Sequence, residues 1–167
     1  MSSEIVPYHE NYHDQLVDIW YRAVRHTHTF LTEEDIEFYR NIVQHSALKE
    51  VEIWLEINES KEPTGFIGLE GSKIEMLFVD PTYHGKGIGS RLIKHAEAKY
   101  GRNLKVDVNE QNEGAHAFYK RYGFVHVGRS ELDGSGRPFP LLHLELNSKS
   151  RHHFILKAKR RKSDSSS

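Results

Sequence analysis

Residues 80–93 read DPTYHGKGIGSRLI, with Gly85, Gly87 and Gly89 at every second position between an apolar run ending at Val79 and another opening with Ile88. Glycine in a helix costs up to about 1 kcal/mol relative to alanine, so three of them weaken the helix they introduce. What they leave is bare backbone. Amides at a helix N-terminus, with the helix dipole behind them, attract anions of the phosphate kind. Three residues without side chains let a bulky pyrophosphate approach the amides from Gly85 to Gly89. A tight turn with no ligand is the other reading of these glycines taken alone.

Two familiar phosphate-binding patterns fail on spacing. A Walker loop needs Lys followed by Ser or Thr after its last glycine, and here Gly89 is followed by Ser90 and Arg91. A dinucleotide fingerprint needs G-x-G-x-x-G directly after the first strand of its unit. This pattern is G-x-G-x-G, begins beyond Val79, and follows several strands.

Those strands are legible upstream. VEIWLEI alternates, with Val51, Ile53, Leu55 and Ile57 pointing one way, and TGFIGLEG and KIEMLFV follow after short turns. Residues 51–79 therefore read as an antiparallel three-strand meander. Before it, Leu16, Ile19, Trp20 and Ala23 recur at helical spacing and predict a helix over residues 12–25. A second helix is expected to start at Thr32, with Asp35 completing a capping box and Ile36, Tyr39 and Val43 facing inward. The loop between them is HTHTFL, residues 26–31.

Downstream, Ile88, Leu92, Ile93 and Ala96 form an apolar stripe, Gly101 is a stop signal, and LKVDV at 104–108 is a strand. Strand, helix, strand implies a right-handed crossover with the two strands parallel. Asn112 can cap a further helix with Ala115, Phe118, Tyr119 and Tyr122 on one face and Gly123 at its end. FVHVGRS and PFPLLHLEL close the domain as strands.

The chain has 167 residues, 37% hydrophobic and 28% charged, which suits one ordinary globular domain. It has no cysteine, so disulfides, thiolate metal sites and a cysteine nucleophile are excluded. No apolar run approaches the roughly 20 residues of a membrane span, and MSSEIVPYHE lacks the layout of a signal peptide; a cytoplasmic location is the expectation. The net charge of −1 hides an asymmetry. Seven Lys or Arg against one Asp lie from Ser148 onward, which leaves 16 basic and 23 acidic residues in 1–147. Residues 1–147 are expected to be the folded domain and 148–167 a basic, disordered tail.

HGKGIG, residues 84–89, resembles the Q/R-x-x-G-x-G/A motif of the GNAT family of acetyl-CoA-dependent N-acetyltransferases, with Gly87 and Gly89 at the glycine positions and His84 where the family has Gln or Arg. NEGAHAFYKRYGF, residues 112–124, is similar to the family's second signature, N-x-x-A-x-x-F-Y-x-x-x-G-F, at Asn112, Ala115, Phe118, Tyr119, Gly123 and Phe124. VNEQNE, FYKRYGF, GRSELDGSGRPFPLL and THTFL look like one bacterial subgroup of it. The resemblance runs from Glu4 to Leu146. It implies an α/β (α+β) GNAT fold: a mixed central sheet of about seven strands with an antiparallel meander, a β-α-β crossover and about four helices.

It also implies a reaction. Acetyl-CoA would be the cosubstrate, with no metal, and the acetyl group would pass directly to a primary amine within a ternary complex. Such transfer needs a neutral amine, a donor for the carbonyl oxygen as it becomes an oxyanion, and a group to quiet the leaving thiolate. The resemblance assigns the pantetheine arm to the main chain of Leu77, Phe78 and Val79, and the pyrophosphate to His84, Gly85, Lys86, Gly87, Ile88, Gly89 and Ser90. Tyr119 is the catalytic candidate beside the sulfur, and equally a ring suited to a buried helical face. Asn112 can contact the cofactor or only cap its helix. Glu75 is the candidate base on the central strand, against the plainer reading of a solvated carboxylate. His26, His28 and Phe30 would wall the acceptor. Two histidines two residues apart, with no supporting cysteine, do not make a metal site.

The expected partner is a small-molecule or peptide amine, with no specific nucleic acid and no membrane, and the chain a monomer or homodimer. A catalytically weak acetyl-CoA sensor of the same fold is the alternative that the departure at His84 keeps open. The basic tail offers a third, nucleic-acid binding, without the aromatics of a reading module.

Overall fold

The structure, a computed structural model, describes residues 3–146; the basic tail expected from Ser148 lies outside the described residues. The chain divides into two compact units, one up to Lys99 and one from Tyr100.

In the first unit, strands β1 (Glu4–Pro7), β2 (Glu52–Ile57), β3 (Pro63–Glu70) and β4 (Lys73–Val79) lie in that order, each antiparallel to its neighbour. The expected meander is β2 to β4. β1, a four-residue strand, is too short for alternation to reveal it. Helix α1 (His13–Thr27) buries Leu16, Val17, Ile19, Trp20, Ala23 and Val24. Helix α2 (Glu33–Ile42) begins at Thr32 with the capping box formed in both directions; a π-helical turn (Val43–Ala47) and the short α3 (Leu48–Glu50) extend it. Their apolar stripes close over Ile53, Leu55, Ile57 and Phe66 in one core cluster.

The other face of β2 meets α4 (Ile88–Tyr100) in a regular row. Glu56 pairs with Arg91, the Trp54 ring lies tilted against His95 at 4.4 Å between centroids, and Glu52 lies 3.4 Å from Lys99. Two residues along a strand advance about 6.7 Å and four along a helix about 6 Å, so the two spacings keep step over three contacts. Burial first, then the Lys99 charge, holds the pKa of His95 below its ordinary value, and it packs as a neutral ring with Nε2 unpaired.

One irregularity bears on the site. Gly68 pairs with Met76 and Leu69 with Ile74, which leaves Glu75 as an extra residue in β4, a β-bulge.

The second unit holds β5 (Leu104–Asn109), α5 (Glu113–Tyr122), β6 (Val125–Ser130) and β7 (Leu141–Leu146), with β7 antiparallel to both β5 and β6. Alternate residues Leu104, Val106, Val108, Leu142, Leu144 and Leu146 are buried. The Asn112 side chain accepts from the Ala115 amide and caps α5, and Gly123, at φ 127°, ends it. The last strand starts at Leu141, not Pro138. Pro138 and Pro140 have no amide to donate to a ladder, and the preceding segment is tied instead to Asp133, whose carboxylate accepts from the amides of Ser135 and Arg137. Among the described residues, no helix is long and apolar enough to cross a membrane.

Candidate active site

The glycine stretch is held at both ends. At its entry, Asp80 accepts from the Thr82 amide (3.0 Å) and so caps the 3-10 turn Pro81–Tyr83, while Arg22 of α1 donates to the same carboxylate at 2.6 Å. Burial pushes the Asp80 pKa up, but the hydrogen bonds from Arg22 and Thr82 outweigh it and hold the group below its ordinary value. At the exit, Arg91 forks onto Glu56: Nε donates to Oε1 at 2.9 Å and Nη2 to Oε2 at 2.7 Å. Its third nitrogen, Nη1, donates to the Lys86 carbonyl at 2.9 Å. Glu56 is 2% exposed, and the bidentate guanidinium offsets the cost of that burial.

Between these anchors, Gly85 and Gly87 take φ of 78° and 80°, the left-handed region that disfavours any side chain. A Cβ at Gly85 would meet nothing within 4 Å, so the backbone there is open; one at Gly87 would come 3.1 Å from Arg91 Nη1. Gly89 differs, because it lies inside α4 with no positive φ. It removes bulk and is not a conformational requirement. The Ile88 side chain is buried, against Gly65, so only its backbone faces outward. At this start of α4 the first amides have no acceptor within the helix. Open amides, a helix start and an exposed Lys86 fit a diphosphate. An open cleft of about 540 Å³ flanks the turn, lined in part by Asn58, Ser60, Tyr83, Lys86 and Arg91.

The structure brings two expected neighbours together. The His26 ring, in the last turn of α1, stands edge-on to His84 at 5.6 Å between centroids. The segment read as an acceptor wall thus touches the segment read as an anion cradle. That wall is shorter than HTHTFL, because His26 and Thr27 still belong to α1. His28 packs 5.4 Å from Phe30, and burial lowers its pKa to about 4, so it is neutral at physiological pH. On β4, Leu77, Phe78 and Val79 are half-buried and pair with Ile67, Phe66 and Gly65. Glu75 sits at the bulge, exposed, 3.8 Å from Lys73.

In the second unit, Tyr119 is 6% exposed, its ring edge-on to Phe118 and Phe124 at 5.3 and 5.2 Å. Burial raises its pKa well above 10, so the phenol keeps its proton. Asn112 is half-buried with its oxygen on the Ala115 amide. Among the described residues, no group of three His, Cys, Asp or Glu is placed to hold a metal.

Replacing Gly87 by valine would force a branched side chain into a left-handed backbone and against Arg91. The expected result is acetyl-CoA affinity at least about tenfold weaker, or about 1.4 kcal/mol, by calorimetry on folded protein. Unchanged affinity would remove the turn from the site.

The family model described as the acetyltransferase (GNAT) domain matches residues 21–140, across both the glycine turn and α5. The chain is 44% identical over 131 residues to the peptidyl-lysine N-acetyltransferase YjaB of Escherichia coli (strain K12), covering 78% of this chain and 88% of that protein. The solution structure of apo-form YjaB from Escherichia coli has a TM-score of 0.81 at 40% identity, covering 87% of this chain and 98% of the other. The PaiA N-acetyltransferase of Thermoplasma acidophilum, solved in complex with coenzyme A, shares the fold at TM-score 0.66 and 21% identity, over 88% of this chain and 100% of its own. The resemblance drawn from residues 84–89 and 112–124, subgroup included, is thereby borne out, and the chain belongs to the GNAT family of N-acetyltransferases.

Proposed function

We propose that this enzyme transfers the acetyl group of acetyl-CoA directly to the side-chain amine of lysine in a protein or peptide. The observation that carries the cofactor half is the turn at Gly85 and Gly87, open on one side and fixed at both ends by Asp80–Arg22 and Glu56–Arg91. The acceptor half is supported by the likeness to a peptidyl-lysine N-acetyltransferase.

The thioester supplies an activated acyl group, and the chain's residues do the rest. The amides from Gly85 to Ser90, with Lys86, bind the diphosphate; the main chain of Leu77 to Val79 orients the arm; Asn112 contributes beside α5. His84 adds a ring edge rather than the usual amide or guanidinium. His26, His28 and Phe30 border the acceptor, with neutral His28 and Phe30 covering the methylene stem of a lysine. Tyr119, protonated throughout the working range, donates a hydrogen bond to the departing sulfur.

A lysine amine, with pKa about 10.4, costs roughly 4.6 kcal/mol to neutralise at pH 7, against about 1 for an α-amine. Lysine therefore needs a proton acceptor, and Glu75, at the bulge, is the candidate on β4.

The test is thiol release from acetyl-CoA with two peptides, one with a free lysine and a blocked N-terminus, the other the reverse. Faster turnover on the lysine peptide is expected, with the acetyl group mapped to the side chain. Preference for the α-amine overturns the acceptor assignment, and no turnover with either favours the sensor reading.

A further inference from the structure

Within the second unit, the register of three strands gathers Asp107, His143 and Ser130 on one face. Asp107 pairs with His143 across β5 and β7, so both side chains leave the sheet on the side opposite the buried Val106, Val108, Leu142 and Leu144. On β6 the count changes. His126 pairs with Leu144 but Gly128 pairs with His143, which makes Val127 an extra residue. A strand inverts its faces when its register slips by one residue. Without the bulge Ser130 would point away from His143; with it, Gly128 lies opposite His143 and Ser130 falls on the same face. Gly128 offers no side chain to block the ring, whose Cδ2 lies 3.4 Å from where a Cβ would sit.

The three groups are hydrogen-bonded in series. His143 Nδ1 lies 2.6 Å from Asp107 Oδ1, and His143 Nε2 lies 2.6 Å from Ser130 Oγ. With Asp107 ionised and the imidazole neutral, Nδ1 carries the proton, Nε2 presents its lone pair, and the serine hydroxyl donates to it. The His143 and Asp107 side chains are 33% and 26% exposed and Ser130 is half-buried, so a ligand can reach them from solvent. A hydroxyl on a base that is itself oriented by a carboxylate is the arrangement that activates a serine nucleophile.

We propose that Ser130, His143 and Asp107 form a second reactive centre, at which Ser130 is acylated by small activated acyl esters that are then hydrolysed. Ser130 Oγ bonds to the acyl carbon as its proton passes to His143 Nε2. The bond from that carbon to the leaving oxygen breaks, and His143 returns the proton to the leaving group. Water then adds to the acyl-serine with His143 again taking a proton, and Ser130 and a carboxylic acid are released. Asp107 is a positioning residue that fixes the tautomer and supports the imidazolium. Glu145 on β7 and Lys105 on β5, opposite each other and two residues from His143 and Asp107, are the charged groups beside them on the same face.

The probe is p-nitrophenyl acetate, read by nitrophenol release and by mass mapping of the acetylated peptide. Acetyl on Ser130 is expected, with release about 100-fold slower in both Ser130→Ala and His143→Gln. In Asp107→Asn kcat for ester release should fall with KM unchanged, since the imidazolium that forms during acylation loses its carboxylate. Amine acetylation by Ser130→Ala should match the parent, which separates this centre from the acetyl-CoA reaction. Release by Ser130→Ala at the parent rate, or absence of acetyl from Ser130 across the pH range, would overturn the proposal.

Discussion

Replacing Tyr119 by phenylalanine is expected to slow acetyl transfer roughly 10- to 1,000-fold, on the order of 1.4 to 4 kcal/mol of transition-state stabilisation, with little change in acetyl-CoA affinity. The ring is 6% exposed and wedged between Phe118 and Phe124, and phenylalanine keeps those contacts. Only the hydroxyl is lost. Full proton transfer from a phenol of pKa about 10 to a thiolate of about 8.5 is already uphill by about 2 kcal/mol, and burial raises the phenol further. The hydroxyl therefore acts as a donor that stays protonated, and the rate should show no limb from its ionisation below about pH 10. Single-turnover rates with a lysine peptide, measured beside cofactor affinity, decide the matter. A variant that transfers acetyl at the parent rate returns Tyr119 to the core.

Local signals carried far in this sequence where one residue type meant one thing. The capping box at Thr32 and Asp35, the cap at Asn112 and the α4 stripe of Ile88, Leu92, Ile93 and Ala96 were legible because each depends on spacing along a single helix. Glu56 and Arg91 were not. In alternating VEIWLEI the glutamate falls on the face that polarity assigns to solvent, and it is buried because α4 lies across that face. The available signal was a match of periods: Glu52, Trp54 and Glu56 two apart, against Lys99, His95 and Arg91 four apart. Reading it required knowing which helix covers which strand.

The bulges at Glu75 and Val127 were hidden for a related reason, since an extra residue is defined only by its partner strand. The one at Val127 lies where simple alternation would have aimed Ser130 away from His143. The same holds for His26 and His84, whose contact joins segments far apart in the chain. Their residue types pointed to no pairing.

Arg91→Ala is expected to destabilise the protein by about 2 to 3 kcal/mol and to weaken acetyl-CoA binding about tenfold or more. The two losses have separate causes. Stability falls because Glu56, 2% exposed, loses both of its guanidinium donors; the Arg91 side chain is half-exposed, so water reaches the vacated place, which puts the cost below that of a fully enclosed pair. Affinity falls because the Lys86 carbonyl loses the Nη1 donor that fixes the turn between Gly85 and Gly87. A double variant distinguishes them. Glu56→Met with Arg91→Met removes both charges and keeps the volume, which should return stability to within about 1 kcal/mol of the parent, as read from urea midpoints at constant slope. Acetyl-CoA affinity should stay low in the double variant, because nothing holds the Lys86 carbonyl. If affinity recovers along with stability, the turn keeps its shape without Arg91, and the guanidinium serves only the buried carboxylate.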